Sequence, residues 1–414
     1  MKATGNLLGT ILDLGREMLV RGGEVWRVQE IVEQLCESFL FESWDVWVIS
    51  SCIEATVQTW DGREYTQVRL VKGRSYDLDK LDRLYALAEE VCEKNMGVNE
   101  IRTRLDEILA RKGLPVREEV IANIVSALGF LFFFNGNYQD AFVIVLAVFG
   151  LIMFNKTIGK NVDNLLVYNT MAMFVMGVIL LASLTAGFGH SLPALATTAV
   201  IMLAGGLGIA NGIGDFIHGN TLSGLSETSN SILGAVGIAL GMMLAMIPFK
   251  GVLGSAMADQ TAGLASSPYV QVLACTVGCT GFSLIFGARE KSLLFSGLGA
   301  CLTWMFYLFF TDITGAGFFL ATMASSCFVA LYATGVNLIT GIPSAIFLTS
   351  CVFPLLPGSN LYFTVFGSIT NDKDMFSLQG KTMLLVAVGI ALGYITIDVV
   401  SKFIEVIRMT YFRK

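Results

Sequence analysis

The feature that most constrains this chain is a series of apolar segments that recurs from Val120 almost to the C-terminus. Each is about 20 residues long, which as a helix spans the roughly 30 Å hydrocarbon core of a bilayer. Charged residues make up only 14% of the 414 residues, and the mean hydropathy is +0.67. Because soluble proteins contain about 25% charged residues, lipid must solvate much of this surface. The sequence therefore predicts a polytopic α-helical membrane protein.

The apolar segments predict about ten spans. We place them at residues 119–136, 139–154, 166–187, 191–211, 225–247, 268–287, 292–311, 316–336, 342–357 and 380–403. The second and the ninth are short, so we expect them to be tilted or broken.

Basic residues in the short loops indicate the orientation, because they are enriched on the cytoplasmic side. With both termini inside, the cytoplasmic loops contain Lys156, Lys160, Arg289 and Lys291. The outer loops then contain only Lys250, Lys373 and Lys381. This excess predicts a multi-pass protein of a bacterial-type inner membrane, with both termini in the cytoplasm.

Residues 1–117 carry most of the charged residues and predict a small cytoplasmic α+β domain. Apolar residues at helical spacing favour two helices separated by Gly22-Gly23. Three strand-like runs follow, with Asp61-Gly62 as the hairpin turn between the last two. Asp77 can cap the third of four helices. The first residues lack the basic flank and apolar block of a cleavable targeting peptide.

No catalytic pattern is present in the N-terminal domain, which has no histidine, phosphate-binding loop or nucleophile elbow. Arg27 and Glu30 lie one helical turn apart, which is typical of surface pairing. A functional role for that pair, and a regulatory role for the domain, both stay open. None of the eight cysteines forms a CxxC pair, and Cys275 and Cys279 are interpreted as small buried hydrophobic residues. We expect no enzyme activity, cofactor, metal site or nucleic-acid partner.

An internal repeat is the most informative feature of the apolar part. Gly129 to Phe134 (GFLFFF) begins the first block, and Gly281 to Phe286 (GFSLIF) begins the second. Further equivalent positions are Pro193-Ala194 with Pro343-Ser344, and Gly208 with Gly358.

The two blocks, residues 118–250 and 268–408, each hold about five predicted spans. Because five is odd, the two copies would enter the membrane in opposite senses, which is a recurring construction of secondary transporters. The alternative is chance similarity between two apolar sequences.

Two segments favour a broken helix inside the membrane part, Leu203 to Gly224 and Phe353 to Tyr362. The first is rich in glycine and the second contains two prolines, which remove backbone donors. Unwound backbone and half-helix ends could bind the charged groups of an amino acid. The predicted substrate-binding residues are Asn211, Asp215, His218, Asn220, Pro357, Gly358, Ser359 and Asn360. The alternative is that the glycines only permit close helix packing.

Ionisable residues near the membrane are scarce, and each is a functional hypothesis because a buried charge is costly there. Asp215 with His218 is the first candidate for proton coupling, since histidine titrates near neutral pH. Asp140 and Glu227 are the further candidates.

The stretch LGREMLVRGGEVWRVQEIVEQLCE, Leu14 to Glu37, resembles the opening of threonine/serine exporter family proteins. GDFIHGNTLSG and FPLLPGSNLY resemble the two membrane motifs of that family, so the resemblance covers nearly the whole chain. It implies export of threonine and serine, or in split two-chain relatives of a dicarboxylate, driven by the proton motive force. Three positions depart from the family pattern, namely Gln29, Gly214 and Asn220.

The combined prediction is a proton-coupled secondary exporter of small polar amino acids. Its partners would be the amino acid, protons and membrane lipid, and inverted-repeat proteins often form homo-oligomers. The alternatives are a dicarboxylate exporter, and a channel or sensor whose cytoplasmic domain binds a ligand. An intramembrane enzyme is disfavoured, because His190 and His218 are the only histidines and no HExxH motif is present. Direct ATP coupling is disfavoured by the lack of a Walker-type loop.

Overall fold

The computed structural model describes residues 2–73, 77–94, 96–203, 212, 215, 216, 219–249, 267–340, 342 and 344–412. These residues are mostly helical and include one three-stranded sheet. Close contacts divide the chain into two compact units. We call Met1–Pro115, Gly214–Glu227 and Phe286–Arg289 the N-terminal unit, and Val116–Ile213, Thr228–Ile285 and Glu290–Lys414 the membrane unit.

The N-terminal unit is α+β, as predicted. Its elements are α1 (Lys2–Val20), α2 (Val25–Ser38), β1 (Ser43–Ile49), β2 (Cys52–Gln58), β3 (Glu64–Leu70), α3 (Leu78–Lys94) and α4 (Val98–Leu109). The strands form an antiparallel sheet in the order β1-β2-β3. Gly62 has a φ of +76° in the β2–β3 turn, a conformation that favours glycine, and the Asp77 carboxylate accepts a hydrogen bond from Lys80 N at 3.1 Å.

The core of this unit lies between the sheet and the helices. Ile53 and Val57 alternate with outward-facing residues along β2 and are fully buried. Gly15 on α1 lets that helix approach α2 and the sheet, because an added methyl group would lie 2.9 Å from Val32 and 3.2 Å from Ile53. Large aliphatic side chains therefore hold this unit together.

The membrane unit consists of helices in the residues that the structure describes. They are α5 (Val116–Phe133), α6 (Tyr138–Thr157), α7 (Leu165–Thr185), α8 (Leu192–Leu203), α9 (Thr221–Met246), α10 (Pro268–Ile285), α11 (Glu290–Leu308), α12 (Phe318–Thr340), α13 (Ser344–Val352), α14 (Gly358–Thr370) and α15 (Lys373–Phe412). The first turns of α9 belong to the N-terminal unit, and a π-helical turn over Phe309–Ile313 follows α11.

Within the described residues, seven helical segments are long and apolar enough to cross a membrane. They are Tyr138–Thr157, Leu165–Thr185, Thr221–Phe249, Pro268–Ile285, Glu290–Ile313, Phe318–Thr340 and Lys373–Ile397. The other three predicted spans correspond to shorter or more polar helices. Helix α5 carries Arg117, Glu118 and Glu119 in its first turn, and α8 has 12 residues before the described stretch ends. The predicted ninth span is divided between α13 and a 3-10 turn.

Helices α5 and α10 cross at glycines that bring their backbones into contact. A methyl group added at Gly129 would overlap the backbone of Gly278, and one added at Gly281 would lie 2.6 Å from the Ser126 nitrogen. The Ser126 hydroxyl also donates a hydrogen bond to the Gly278 carbonyl over 3.1 Å. Small residues at a crossing permit this close packing, which holds membrane helices together where lipid removes the hydrophobic driving force.

The contacts at this crossing are reciprocal. The serine and glycine joined by that hydrogen bond are 152 residues apart in the chain. Gly129 and Gly281 have the same separation, and so do Phe130 and Phe282. The rings of this phenylalanine pair meet edge to face, with centroids 5.3 Å apart. Each helix therefore contacts the other through positions that lie 152 residues apart in the chain.

A second pair of crossings repeats the same construction, between α7 and α9 and between α12 and α15. A methyl group added at Gly237 on α9 would lie 2.5 Å from the Leu166 carbonyl oxygen. One added at Gly389 on α15 would lie 3.2 Å from the Phe319 carbonyl oxygen. Four residues later, Gly241 on α9 contacts the next turn of α7, and Gly393 on α15 contacts the next turn of α12. The two blocks thus share a packing motif at equivalent positions.

The N-terminal unit includes the loop Phe286–Arg289, which follows α10. Leu78 N, at the start of α3, donates a hydrogen bond to the Phe286 carbonyl oxygen over 2.6 Å. Gly287 lies beside them with a φ of +88°, and a methyl group there would be 3.1 Å from the Asp77 carboxylate. This inter-helix loop is therefore packed against the cap of α3.

Candidate functional site

The membrane unit contains a cavity of about 410 Å³, within the usual range of sites for small molecules. Aromatic side chains form much of its wall, and polar side chains of α14 and α15 form another part. The lining residues are Phe130, Phe133, Phe134, Ile201, Trp304, Tyr307, Phe318, Thr322, Phe353, Pro354, Leu355, Leu356, Ser359, Asn360, Leu378, Gln379, Thr382 and Val386. They come from both sequence blocks, so the cavity exists only in the folded unit.

The proline segment interrupts the helix at this cavity, as its sequence predicts. Helix α13 is followed by a 3-10 turn over Phe353–Leu355, and Leu356 is extended with a ψ of 132°. Helix α14 then begins at Gly358, with Pro357 at the N-cap position and no side chain capping its free amides. The first amides of a helix have no partner within the helix, and the helix dipole favours an anion beside them. Ser359 lies in this first turn and lines the cavity.

Polar groups around the cavity are placed to form hydrogen bonds with a ligand. The Asn360 side-chain amide donates to the Gln379 side-chain oxygen over 2.7 Å, which fixes both amides in the wall. Trp304 stacks on Tyr307 with centroids 4.8 Å apart, and contacts Phe133 edge to face at 4.7 Å. The buried Trp304 Nε1 donor has no hydrogen-bond partner among the described residues. A buried donor without a partner costs free energy unless a ligand or water accepts from it.

None of the described residues that line this cavity is charged. The described lining residues can stabilise charge only through dipoles: helix amides for a carboxylate, and carbonyl oxygens and aromatic faces for an ammonium group. A small zwitterion with no net charge fits these residues. None of them is a cation that could pair with a second negative charge on a ligand.

The predicted substrate-binding residues of the second block lie at this cavity. Pro357 and Gly358 are buried at the start of α14, and Ser359 and Asn360 line the wall. The assignment of these residues to substrate binding stays a prediction.

The predicted residues of the first block lie elsewhere or outside the described residues. Asn211 and His218 are outside the described part of the chain. Asp215 is 4% exposed, and Asn220 N donates to its carbonyl oxygen over 2.8 Å across a turn in which Gly219 has a φ of +84°. Asp215 and Asn220, together with the buried Glu227, belong to the N-terminal unit. Their predicted binding and proton-coupling roles stay predictions.

Asp140 is fully buried at the N-terminus of α6. Its carboxylate accepts backbone hydrogen bonds from Asn137 at 3.1 Å, His190 at 2.7 Å and Ser191 at 3.1 Å. Three amide donors satisfy this carboxylate and join the start of α6 to the loop before α8. These contacts give Asp140 a structural role, because they hold the start of α6 against the loop before α8. The proton-coupling role of Asp140 stays a prediction.

Sequence reasoning missed the aromatic wall and the α15 residues of the cavity. Trp304 and Tyr307 stand one helical turn apart in an apolar segment, a pattern that does not distinguish a cavity wall from a lipid-facing surface. In the sequence, GFLFFF indicates only an internal repeat; in the structure, its Phe133 and Phe134 line the cavity. Gln379 is a polar residue near the start of a predicted span, and that position was the one available signal.

Two family models match the chain. One described as “Putative threonine/serine exporter” matches residues 9–247, and one described as “Threonine/Serine exporter, ThrE” matches residues 271–400. The first match covers most of the N-terminal domain and the first block, and the second covers most of the second block.

A relative in Mycobacterium tuberculosis, described as “Probable threonine/serine exporter”, is 23% identical over 401 residues. The alignment covers 94% of this chain and 74% of the relative. No solved structure matches the chain. The first family model alone covers more than half of the sequence. The chain therefore belongs to the threonine/serine exporter family, whose members are membrane transporters rather than enzymes.

Proposed function

We propose that this protein exports threonine, serine and similar small neutral amino acids from the cytoplasm as a secondary transporter driven by the proton gradient. Family membership supports the substrate class. The observation that carries the proposal is the cavity in the membrane unit, which has polar dipoles and aromatic faces but no charged described residue in its lining.

The proposed binding mode follows from the positions of these dipoles. The substrate carboxylate lies at the uncapped start of α14, where amides and the Ser359 hydroxyl can donate to it. The ammonium group faces Trp304 and Tyr307, because aromatic faces attract cations. The Asn360–Gln379 pair is within the same wall and can contact the substrate hydroxyl. This arrangement disfavours the dicarboxylate alternative, since a second carboxylate would find no cationic partner among the described lining residues.

The proposed architecture is ten spans arranged as two inverted five-span repeats. The reciprocal α5–α10 crossing supports it, because the positions that meet are equivalent in the two blocks. Along this crossing, contacts move backward through α10 as they move forward through α5, from Ser126 with Gly281 to Gly129 with Gly278. Two equivalent helices that run in opposite directions are what an inverted repeat requires.

We place the protein in the inner membrane of the cell, with both termini in the cytoplasm. The loop that contains Arg289, which is predicted to be cytoplasmic, belongs to the same compact unit as the N-terminal domain, and so does the segment Gly214–Glu227. Loops that pack with one soluble domain lie on its side of the membrane. The proposed proton-coupling residues are Asp215, His218 and Glu227, within positions 214–227 of the sequence, and Asp140.

Flux measurements in proteoliposomes test this proposal. Purified protein is reconstituted, and uptake of labelled threonine and serine is followed with and without an imposed pH gradient. We expect saturable flux that rises with the gradient and is competed by few other amino acids. Asn360→Asp should raise KM for threonine about ten-fold or more, because it adds a negative charge beside the proposed carboxylate site.

The matched control is Asn371→Asp, the same substitution at the opposite end of α14, where Asn371 is exposed and outside the cavity lining. Its KM should remain that of the wild type. Competition-sensitive flux of succinate without flux of threonine or serine would support the dicarboxylate alternative. If no solute moves and none raises the thermal stability of the protein, the sensor alternative is favoured instead.

A further inference from the structure

The N-terminal unit contains a groove of about 320 Å³ between α2 and α3. It is separate from the cavity of the membrane unit. Its lining repeats at helical spacing on both helices, with Arg27, Glu30, Ile31 and Gln34 on α2, and Tyr85, Ala88, Glu89, Cys92 and Glu93 on α3. One face of α2 therefore forms one wall of the groove, and one face of α3 forms the other.

The charged side chains of the groove are not paired with one another. Arg27, Glu30, Glu89 and Glu93 form no ion pair within the described residues, although ion pairs occur elsewhere on α3, such as that of Glu90 with Lys94 at 2.9 Å. The Arg27 guanidinium instead lies over the Tyr85 ring, 4.8 Å from its centroid. A guanidinium in this position keeps its N–H donors available for a carboxylate.

Tyr85, which lines the groove, has a polar group without a partner among the described residues. Tyr85 is 2% exposed, and its buried hydroxyl has no hydrogen-bond partner among the described residues. Burial raises the pKa of Tyr85 above its ordinary value, Arg27 opposes this shift, and Glu24 adds to it. The hydroxyl is therefore a neutral donor at physiological pH. A buried hydroxyl without a partner lowers stability by about 1–3 kcal/mol, and a ligand that accepts from it removes that cost.

The groove also accounts for a sequence motif that the transport proposal leaves unused. The Gly22-Gly23 turn and the following helix carry the residues that surround Tyr85. A methyl group at Gly23 would lie 3.1 Å from the Tyr85 hydroxyl oxygen, so glycine leaves room for that hydroxyl. Arg27 covers the ring from the first turn of α2. The Gly22-Gly23 turn and Arg27 therefore both contribute to the surroundings of Tyr85.

We propose that this groove binds a free α-amino acid, whose carboxylate pairs with Arg27 and whose ammonium group pairs with Glu89 and Glu93. Only a ligand with both charges satisfies the guanidinium and the carboxylates together. Three carboxylates against one guanidinium leave the groove net negative, so a basic amino acid binds more tightly than a neutral one. A metal ion does not fit, because no group of His, Cys, Asp and Glu among the described residues has metal-binding geometry.

Calorimetric titration of the purified full chain in detergent tests this proposal. The probes are L-lysine, L-threonine and putrescine, a diamine without a carboxylate. We expect L-lysine to bind more tightly than L-threonine, and putrescine to bind more weakly than L-lysine. Arg27→Gln should weaken L-lysine about ten-fold but should not weaken putrescine, because putrescine has no carboxylate to lose and the more negative groove favours a dication.

Tyr85→Phe provides a second variant with a distinct signature. It should weaken L-lysine binding yet raise the midpoint of thermal unfolding in the absence of ligand, since it removes an unpaired buried hydroxyl. Arg63→Gln, on an exposed side chain of the β2–β3 turn, is the charge-matched control and should bind L-lysine as the wild type does.

The groove and the membrane cavity are distinguished by Asn360→Asp, which should leave L-lysine binding unchanged even where threonine transport is lost. The proposal is overturned if L-lysine does not bind the wild-type chain. It is also overturned if Arg27→Gln binds L-lysine normally, or if putrescine binds as tightly as L-lysine.

Discussion

The N-terminal unit and the membrane unit bring their helices together by different means. In the N-terminal unit, large aliphatic side chains such as Leu12 and Leu84 are fully buried between helices and sheet. In the membrane unit, Gly129 and Gly278 bring two helix backbones into direct contact. The reason is the solvent: water drives burial of large apolar side chains, whereas lipid does not, so close packing of small residues replaces it.

The cavities of the two units differ in the charge of the residues that line them. The groove between α2 and α3 has four charged residues in its lining, among them Arg27 and Glu89. The membrane cavity has none among its described lining residues and uses helix ends, amides and aromatic faces. A charged side chain next to water keeps its hydration, whereas a charge surrounded by hydrocarbon loses it at a free-energy cost of several kcal/mol. The two proposed binding modes differ accordingly: charged side chains would bind the amino acid in the groove, and dipoles would bind it in the membrane cavity.

The largest expected effect comes from breaking the glycine crossing. Gly129→Leu inserts a side chain where even one methyl group overlaps the Gly278 backbone, so α5 and α10 must separate. We expect a destabilisation beyond the about 1–3 kcal/mol of ordinary overpacking, and loss of the monodisperse protein in size-exclusion chromatography. Gly335→Leu is the control, because no atom lies within 4 Å of its added methyl position. Equal behaviour of the two variants would show that the crossing does not hold the unit together.

A smaller effect is expected from the aliphatic core of the N-terminal unit. Leu84→Ala should lower the free energy of unfolding of this unit by about 2–5 kcal/mol, because it removes a fully buried side chain and leaves a cavity. Thermal unfolding of the full chain, followed by fluorescence, measures the change. Leu70→Ala, at a residue that is 62% exposed, is the control and should change stability by less than about 0.5 kcal/mol. A similar loss in both variants would contradict the assignment of the core.

The smallest effect is a pH dependence on the surface of α3. Burial raises the pKa of Asp82 to about 6, Asp79 and Glu89 add to the shift, and Arg83 opposes it. The folded state thus holds this proton more tightly than the unfolded state, so the stabilisation present at low pH is lost as pH rises to about 6. Asp82→Asn should therefore raise the unfolding midpoint of the N-terminal unit at pH 7 more than at pH 4. A shift of equal size at both values would contradict this assignment.

Local sequence patterns predicted much of the fold. Three strand-like runs and the Asp61-Gly62 turn predicted the sheet, and β2 and β3 form the predicted hairpin. Pro354 and Pro357 predicted the break before α14, because proline removes backbone donors. Span boundaries were predicted less well where a helix begins with charges, as α5 does, or is short, as α13 is.

The candidate site was only partly predictable. The positions around Pro357 were identified because proline and glycine act locally on the backbone. The environment of Asp140 was not, because its partners His190 and Ser191 are distant in sequence and donate through backbone amides that no side-chain pattern reveals. The same limit applies to Trp304, whose meeting with Phe133 joins two different blocks.

Hydropathy and charge act residue by residue, so they sufficed to predict which part of this protein faces lipid and which faces water. Capping and backbone restriction are also local, so the cap at Asp77 and the break at Pro354 and Pro357 were predictable as well. The contacts between distant helix faces became visible only in the fold: the reciprocal glycine crossing, the cavity lined by both blocks, and the groove around Tyr85. These depend on close packing between residues far apart in the chain, and such packing is a property of the whole fold.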